Sequence, residues 1–459
     1  MAKLFGTNGI RGLTNEVITP ELALEVGKAI GTFFGKGKKA LLGKDVRYGG
    51  DMLINAVSSG LMSTGIRVYI TDPAPTPAIE YAVRSLDYDF GVIITASHNP
   101  KEYNGIKIVK KDGGEQSRDD EKVIEEIIER KSYYNAKYNE IYNASRENRV
   151  IDTYISSIIS IVDAEKIRSK AYKVIVDGAN SVGSLTSPLI AAALGCKVIS
   201  INTHLDPNFP GREPEPNDKT LVNTAKALEI NNADIAVAHD GDADRAVFID
   251  NKGVIHSGDE SGALLAYHLK KKLKDNRAVI TTVASSLAVL RFLKSNGIEY
   301  QMTRVGGIDM EDIVRGNKNK FYAYFEESSG FAYVDSHLTK DGGRALALML
   351  ELMASEGLSS SELFSKIEKT YKYKYKIPLD KIGSIEDNII KIEKSFSSYS
   401  ITKIDGVRVD SDSFMILFRK SGTEPIARLF IESRDKDELE KLKERIEEII
   451  DVDLDSLAK

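Results

Sequence analysis

The sequence predicts an α/β protein of three similar α/β units followed by a smaller α+β unit. Three observations carry this. The 459 residues suffice for three or four domains at roughly 100–200 residues each. Strand-like apolar runs alternate with helically spaced segments over the first three quarters, the pattern of a mostly parallel sheet flanked by helices. The last part instead shows strands around one loop and then a charged helix.

In order, "ELALEVGKAIGTFF" has helical spacing, with Thr19 as N-cap before Pro20. "KALLGKD" reads as a strand, "MLINAVSSGLMSTG" as a helix ending at Gly65, and "IRVYITD" as a strand. "PTPAIEYAVRSL" is helical, a strand runs into Ser97, and "DDEKVIEEIIERKS" closes the first unit as a helix. Residues 131–149 are polar, Tyr- and Asn-rich and weakly patterned, which places a boundary near 147. The second unit, 148–252, reads strand–loop–helix–strand over "YKVIVDGANSVGSLTSPLIAAALGCKVISIN". A helix around "KTLVNTAKALEIN" follows, and then one strand, "ADIAVAHDGDADRAVFID". The third unit, 253–368, holds helices at "GDESGALLAYHLKKKL", "SLAVLRFLKSNG" and "DGGRALALMLELMASEG", with strands at "AVITTV" and "FYAYFEESSG". The fourth, 369–459, has antiparallel strands over "VRVDSDSFMILFRKSGTEPIARLFIES" and a terminal helix, "DKDELEKLKERIEEII".

Composition excludes several classes. Hydrophobic residues make up 42% and charged residues 29%, as in ordinary globular proteins. A net charge of −5 argues against a broad basic surface for nucleic acid. The single cysteine, Cys196, rules out an intrachain disulfide, fits a reducing compartment and reads as a buried small hydrophobe. The N-terminal "MAKLFGTNGIRG" lacks an apolar signal core, and no run approaches the roughly 18–20 residues of a membrane span. A cytoplasmic protein with neither nucleic acid nor membrane as partner is expected.

Four loops carry chemistry. In "TASHNP" an apolar strand delivers Ser97 beside His98, and Lys107 follows at the end of a Gly-containing turn. A serine hydroxyl needs a base or a metal to act as nucleophile. In "HDGDADR", Asp240, Asp242 and Asp244 alternate at a strand end, so their side chains share a face. Three carboxylates on one face repel unless a cation joins them, and oxygen ligands of this kind suit Mg²⁺. An EF-hand from Asp240 would need Gly and Glu where Arg245 and Asn251 stand. "FEESSG" ends a strand in carboxylates and hydroxyls suited to sugar hydroxyls. "RKSGTEP" with Arg428 offers guanidinium, hydroxyl and backbone N–H donors to one phosphate. Together these suggest phosphoryl transfer on a sugar phosphate, in a cleft where the units meet.

In these motifs the whole chain resembles the α-D-phosphohexomutase family, which includes phosphoglucomutase, phosphomannomutase and phosphoglucosamine mutase. "TASHNP" looks like its phosphoserine loop, "DGDADR" its metal loop, "FEESSG" its sugar loop and "RKSGTEP" its phosphate loop. "LFGTNGIRG", "GKDVR", "DGANSVG" and "FPGREPEP" support the match. The resemblance implies three α/β domains with mixed sheets and a smaller α+β domain around a central cleft. It implies a phosphoserine at Ser97, which gives its phosphoryl group to a hexose 1- or 6-phosphate and recovers it from a reoriented hexose 1,6-bisphosphate. Ser97, Asp240, Asp242 and Asp244 would hold Mg²⁺. Arg245 would support the transferring phosphate. Arg419, Ser421, Gly422, Thr423 and Arg428 would hold the other phosphate. Glu326 and Ser328 would grip the ring, and His98, Lys107 and Arg11 are candidates for proton transfer and charge stabilisation. Relatives are monomers or homodimers, and a hinge is expected near residue 368.

Three departures bear on substrate. Phe325 stands for the usual Gly of Gly-Glu-x-Ser-Gly, and the doubled Glu and Ser leave that register open by one. Lys420 stands where Pro is common, and Gly307 where Asp is frequent. Phosphoglucomutase/phosphomannomutase activity is the expectation and phosphoglucosamine mutase the runner-up. A metal-dependent sugar phosphatase or a non-catalytic sugar-phosphate binder are the rivals of other classes.

Overall fold

The computed structural model describes residues 4–6, 9–422 and 424–457. The first sheet comprises β1 (Ile10–Leu13), β2 (Lys39–Lys44), β3 (Arg67–Ile70), β4 (Phe90–Ile94), β5 (Tyr103–Lys110) and β6 (Ser145–Arg146). Its spatial order is β1-β5-β4-β2-β3-β6. The helices α1 (Pro20–Phe34), α2 (Gly50–Ser63), α3 (Thr76–Ser85) and α4 (Arg118–Glu129) connect these strands. Thr19 caps α1 as its sequence predicts, Oγ1 accepting from the Leu22 N–H at 3.3 Å. The weakly patterned segment 131–149 is not wholly irregular, because β6 adds to the sheet parallel to β3.

The second unit holds α5 (Val150–Ile159), α6 (Ala164–Arg168), β7 (Lys173–Asp177), α7 (Ser187–Ala193), β8 (Lys197–Ile201), α8 (Val222–Asn231), β9 (Ile235–Ala238) and β10 (Val247–Asp250). Its sheet order is β10-β9-β7-β8. The run 233–250, expected as one strand, is an antiparallel pair, since the Asp-rich stretch between β9 and β10 reverses the chain. Cys196 is half-buried rather than buried, and its thiol is pushed up to about 12 by that burial and by nearby Asp234.

The third unit holds α9 (Gly258–Leu273), β11 (Ala278–Thr282), α10 (Leu287–Ser295), β12 (Tyr300–Thr303), α11 (Gly307–Gly316), β13 (Phe321–Phe325), β14 (Phe331–Tyr333), α12 (Gly342–Glu356) and α13 (Ser360–Phe364), in sheet order β12-β11-β13-β14. The fourth is an antiparallel sheet ordered β15-β19-β18-β17-β16. Its strands are β15 (Tyr371–Pro378), β16 (Ser400–Thr402), β17 (Val407–Asp410), β18 (Phe414–Lys420) and β19 (Ile426–Ser433), covered by α14 (Ile385–Ser395) and α15 (Lys436–Ile450). The fold is thus three mixed α/β layers and a smaller α+β layer.

One core joins the first three units around α12, which is buried from Gly342 to Ala354. The fully buried Arg344 fastens that helix. It pairs with Asp341, donates to Ser157 Oγ at 2.7 Å and lies over the rings of Tyr81 and Tyr154. The fourth unit has its own core and meets the third through Val283, Ala284 and Leu287 against Met415 and Leu417. Two buried charges from the fourth unit complete that junction. Glu432 accepts from Ser286 Oγ (2.6 Å) and from the Leu287 N–H (3.0 Å), capping α10, and Arg408 donates to the carbonyls of Val283 and Ser285.

Among the described residues, no helix is long and apolar enough to cross a membrane.

A buried acid on α12 makes stability depend on pH. Glu351 lies 2.8 Å from His268 Nε2 and accepts from Lys272 Nζ at 2.7 Å and from the Asp163 N–H at 2.7 Å. Burial alone would raise its pKa, but the His268 and Lys272 hydrogen bonds outweigh it and hold the carboxyl at about 2. A depressed carboxylate pKa stabilises above the unfolded value and loses that contribution as pH falls through the folded one. Glu351→Gln is expected to lower unfolding free energy by about 3 kcal/mol at neutral pH. Urea denaturation should show this gap closing between the ordinary glutamate range and about pH 2.

Candidate active site

The chain turns sharply at Ser97. All five residues of β4 are buried, and Ser97 adopts a left-handed backbone, φ 51°. An L side chain there costs about 1–2 kcal/mol, so the surroundings must hold it. Arg47, just after β2, does so. Its Nη2 donates to the carbonyls of Ser97 and Asn99, both at 2.6 Å, and its Nη1 to those of Pro100 (2.6 Å) and Tyr103 (3.1 Å). Asp45 Oδ2 accepts from Arg47 Nε at 3.1 Å and from Thr95 Oγ1 at 2.6 Å, and Thr95 Oγ1 accepts from the Ser97 N–H at 2.9 Å. "GKDVR" is therefore the clamp of the serine loop. Lys107 does not end a turn as expected. It lies within β5 opposite Ile93, because β4 and β5 form an antiparallel hairpin.

The three aspartates do not share the face of an extended strand. They lie in the turn between β9 and β10, where a positive φ of 59° at Ala243 curls the chain and gathers their carboxylates. All three are buried, and each offers an oxygen within 4.8 Å of the others'. Ser97 Oγ donates to Asp240 Oδ2 at 2.8 Å. The loops touch so closely that a Cβ at Gly241 would lie 2.5 Å from the Ser97 carbonyl oxygen. Asp242 Oδ2 accepts from Thr76 Oγ1 (2.8 Å) and Lys107 Nζ (3.0 Å). Asp242 Oδ1 and Asp244 Oδ1 are buried with no hydrogen-bond partner among the described residues. Burial, then Asp244 and Asp242, push the Asp240 carboxyl well up. For Asp242 burial also raises the pKa, but Lys107 and Thr76 outweigh it and hold the carboxyl low. Buried, mutually repelling oxygen donors with unpartnered atoms fit a hard divalent cation.

Cations surround this cage. Arg245 Nε lies 3.9 Å from Asp240 Oδ2 and 3.9 Å from Asp244 Oδ1, and that nitrogen has no hydrogen-bond partner among the described residues. Lys340, which the sequence reading did not single out, places Nζ 3.4 Å from Asp244 Oδ2 and 3.2 Å from Glu326 Oε1. Its only signal is a lone cation in "HLTKDGG" before a helix. Ser97 Oγ lies 3.3 Å from His98 Nδ1. Arg245 nearby, then burial and Arg11, push the His98 pKa far down and keep the imidazole neutral. Lys107 is the opposite case. Burial would lower its pKa, yet Asp242, Glu115 and Asp244 raise it, so the ammonium persists. Arg11 reaches in from β1, donating to Asn99 Oδ1 at 2.7 Å.

The sugar loop lies on the first turn of α9, where the Gly258 N–H donates to the Glu327 carbonyl at 3.1 Å. Gly258 permits this, since a Cβ there would lie 2.0 Å from the Ser329 nitrogen. One turn on, a Cβ at Gly262 would meet the Phe325 ring at 2.4 Å, so that buried ring is absorbed by the helix. Glu326 is buried and paired with Lys340, whereas Glu327 and Ser328 are partly exposed and Glu327 pairs with Lys374 of β15. Gly307 opens α11 beside Lys340.

The phosphate loop joins β18 to β19. Arg419 and Arg428 stand directly opposite each other, an arrangement that repels unless anions intervene. Arg419 Nε donates to Asp405 at 2.7 Å, Arg428 Nη2 donates to Glu424 at 2.9 Å, and Arg428 Nε has no hydrogen-bond partner among the described residues. The Ser421 N–H donates to the Ile426 carbonyl at 2.9 Å, and Gly422 faces open space. Thr423 lies outside the described residues. Ser97, His98, Arg11, Lys107, the aspartates, Arg245 and Glu326 thus form one group, with the Arg419 group on the fourth sheet.

Comparison with known proteins gives a consistent answer. Family models for phosphoglucomutase/phosphomannomutase match in succession: domain I over residues 2–135, domain II over 152–253, domain III over 257–371 and the C-terminal domain over 385–449. The chain is 46% identical over 455 residues to a phosphoglucosamine/phosphogalactosamine mutase of Sulfurisphaera tokodaii, covering 98% of this chain and 100% of the other. It is 39% identical to a phosphoglucomutase/phosphomannomutase of Thermococcus kodakarensis, covering 97% of each. A crystal structure of a phosphoglucomutase/phosphomannomutase family protein from Burkholderia thailandensis superposes with a TM-score of 0.86 at 23% identity, covering 98% of both chains.

If the cage takes a divalent cation, Mg²⁺ binds the folded state and must raise its stability by mass action. Mg²⁺ at 100 times its dissociation constant should add about 2.7 kcal/mol, and Asp244→Asn should abolish most of that gain. Thermal unfolding with and without EDTA reads the difference.

Proposed function

The chain belongs to the phosphoglucomutase/phosphomannomutase family and is a phosphohexomutase, an isomerase, and we propose that it moves a phosphoryl group between the 1- and 6-positions of a hexosamine phosphate. The observation behind the chemistry is Ser97 Oγ 2.8 Å from Asp240, in a buried cage flanked by Arg245 and Lys107. Ser97 carries the phosphoryl group. The bond between Oγ and phosphorus breaks as a sugar hydroxyl oxygen bonds to phosphorus. The hydroxyl proton passes to a base; the protonated Lys107 cannot accept it, and the neutral His98, 3.3 Å from Ser97 Oγ, can do so only as a weak base while Arg245 and Arg11 stand beside it. Lys107 and Arg245 stabilise charge on the transferring oxygens. The hexose 1,6-bisphosphate turns over in the cleft, and its other phosphoryl group returns to Ser97. Asp240, Asp242, Asp244 and the Ser97 oxygen would hold Mg²⁺, which supplies Lewis-acid neutralisation of the phosphoryl oxygens.

Arg419, Ser421, Gly422, Thr423 and Arg428 hold the phosphate that is not reacting. Glu327 and Ser328 are partly exposed whereas Glu326 is buried, so the pair Glu327–Ser328, in place of the expected Glu326, takes the ring hydroxyls while Glu326 anchors Lys340. Turnover of the intermediate needs the cleft to open, and the separate core of the fourth unit supports a hinge near residue 368.

The choice of an amino sugar rests on the 46% identity over 455 residues, which supports the runner-up at least as well as the glucose and mannose expectation. The 39% identical phosphoglucomutase/phosphomannomutase supports those sugars as the second reading.

Turnover of glucosamine 1-phosphate, glucose 1-phosphate and mannose 1-phosphate, with Mg²⁺ and traces of the matching bisphosphates, decides between them. Glucosamine 1-phosphate is expected to give the highest kcat/KM, and equal rates on glucose and mannose phosphates would favour the second reading. Ser97→Ala should keep the unfolding midpoint while turnover falls by at least about 10³-fold, and an active variant would remove Ser97 from its role.

A further inference from the structure

The strand β15 reads Tyr-Lys-Tyr-Lys-Tyr-Lys from Tyr371 to Lys376. Alternation puts the tyrosines and lysines on opposite faces. Tyr375 joins the core of the fourth unit, while Lys372 and Lys374 pair with Glu260 and Glu327 of the third. Sheet register fixes what lies beside each lysine. Lys376 pairs across with Arg428, which pairs with Arg419, so these three cations form one row at the phosphate loop. Lys374 pairs with Phe430, which pairs with Leu417, forming the next row on the same face, about 7 Å along the strand. Its ammonium lies 5.5 Å from the Phe430 ring centre, on the side of the sugar loop. Lys374, Glu327, Ser257 and Ser286 line a narrow crevice between the third and fourth sheets, with room for roughly one water-sized group.

Stability alone does not account for this placement. The Lys374 and Glu327 side chains are 48% and 29% exposed, and pairs in that setting contribute only about 0–1 kcal/mol. The pair does join the two surfaces that a sugar phosphate must bridge: a carboxylate for hydroxyls and an arginine row for phosphate.

We propose that Lys374 is a further substrate-binding residue, whose ammonium donates to the ring-side oxygens of a hexose phosphate seated on Arg419 and Arg428. Without substrate, Glu327 occupies that ammonium. Substrate oxygens then share it, which orients the Glu327 carboxylate toward the ring. This rests on the functional reading above, and adds a cation on β15 to the sugar and phosphate loops.

Lys374→Met and Lys374→Arg test it. For the hexose 1-phosphate turned over best, Lys374→Met is expected to raise KM by about tenfold or more, the worth of one charged hydrogen bond, with kcat within about twofold of wild type. Lys374→Arg should recover most of the KM. Calorimetric titration with glucose 1,6-bisphosphate should show the same weakening in Lys374→Met at an unchanged unfolding midpoint. Wild-type KM and bisphosphate affinity in Lys374→Met would overturn the proposal. So would a lowered midpoint with unchanged KM, which marks a purely structural pair. A wild-type protein that binds the bisphosphate but interconverts no hexose phosphate would overturn the functional reading instead, and the titration would still decide on Lys374.

Discussion

Three aspartates buried within one turn are the constraint on which the rest of the molecule depends. Their mutual repulsion out of water is large, and removing charges from water costs several kcal/mol per ion even after relaxation. Each carboxylate is met by groups from elsewhere: Ser97 and Lys107 from the first unit, Thr76 at the start of α3, and Lys340 just before α12. The start of α12 itself abuts the turn, the Gly342 N–H donating to the Ala243 carbonyl at 3.3 Å. No single unit can neutralise the turn. The shared core around α12 is the packing counterpart of this electrostatic need, since it fixes three sheets at the distance these contacts require.

A common device presents the chemistry. Ser97 lies between β4 and β5, the aspartates between β9 and β10, the sugar loop between β13 and β14, and the phosphate loop between β18 and β19. Each is an antiparallel connection. Three of them sit on otherwise largely parallel sheets, where a crossover would carry the chain away from the strand end. A hairpin returns it at once and fixes both ends of the loop by ladder hydrogen bonds. Rigid ends permit the left-handed residues found in these turns, Ser97, Ala243 and Ser329. The fourth unit differs in attachment, with its own core and a junction to the third carried by Glu432, Arg408 and a small apolar patch. That separation suits the role proposed for this unit, holding one end of a substrate while the other end reacts.

Much of this was legible in the sequence. Helical spacing and the Thr19-Pro20 signal fixed α1, and apolar runs marked β2, β4, β7, β9 and β11, because burial of one face leaves a period in the chain. The four loops stood out because carboxylates, hydroxyls and arginines clustered where apolar runs stopped. Short edge strands such as β1, β12 and β14 left no such period, and the first turn of α11, at Gly306-Gly307, carries no capping side chain to announce it.

The sequence by itself determined the four-part architecture and the family and singled out the candidate reactive groups, since these follow from residue type, order and local spacing. Only the tertiary structure decided that the aspartates gather through a turn rather than along a strand, that Lys107 stands within a strand, and that Arg47 clamps the serine loop. It alone brought Lys340 to Asp244, turned Glu326 inward to meet it, and set Glu327 against Lys374. The physical reason is that pairing energies depend on distance and burial between residues tens to hundreds of positions apart. Local patterning carries no trace of those distances until the sheets have packed.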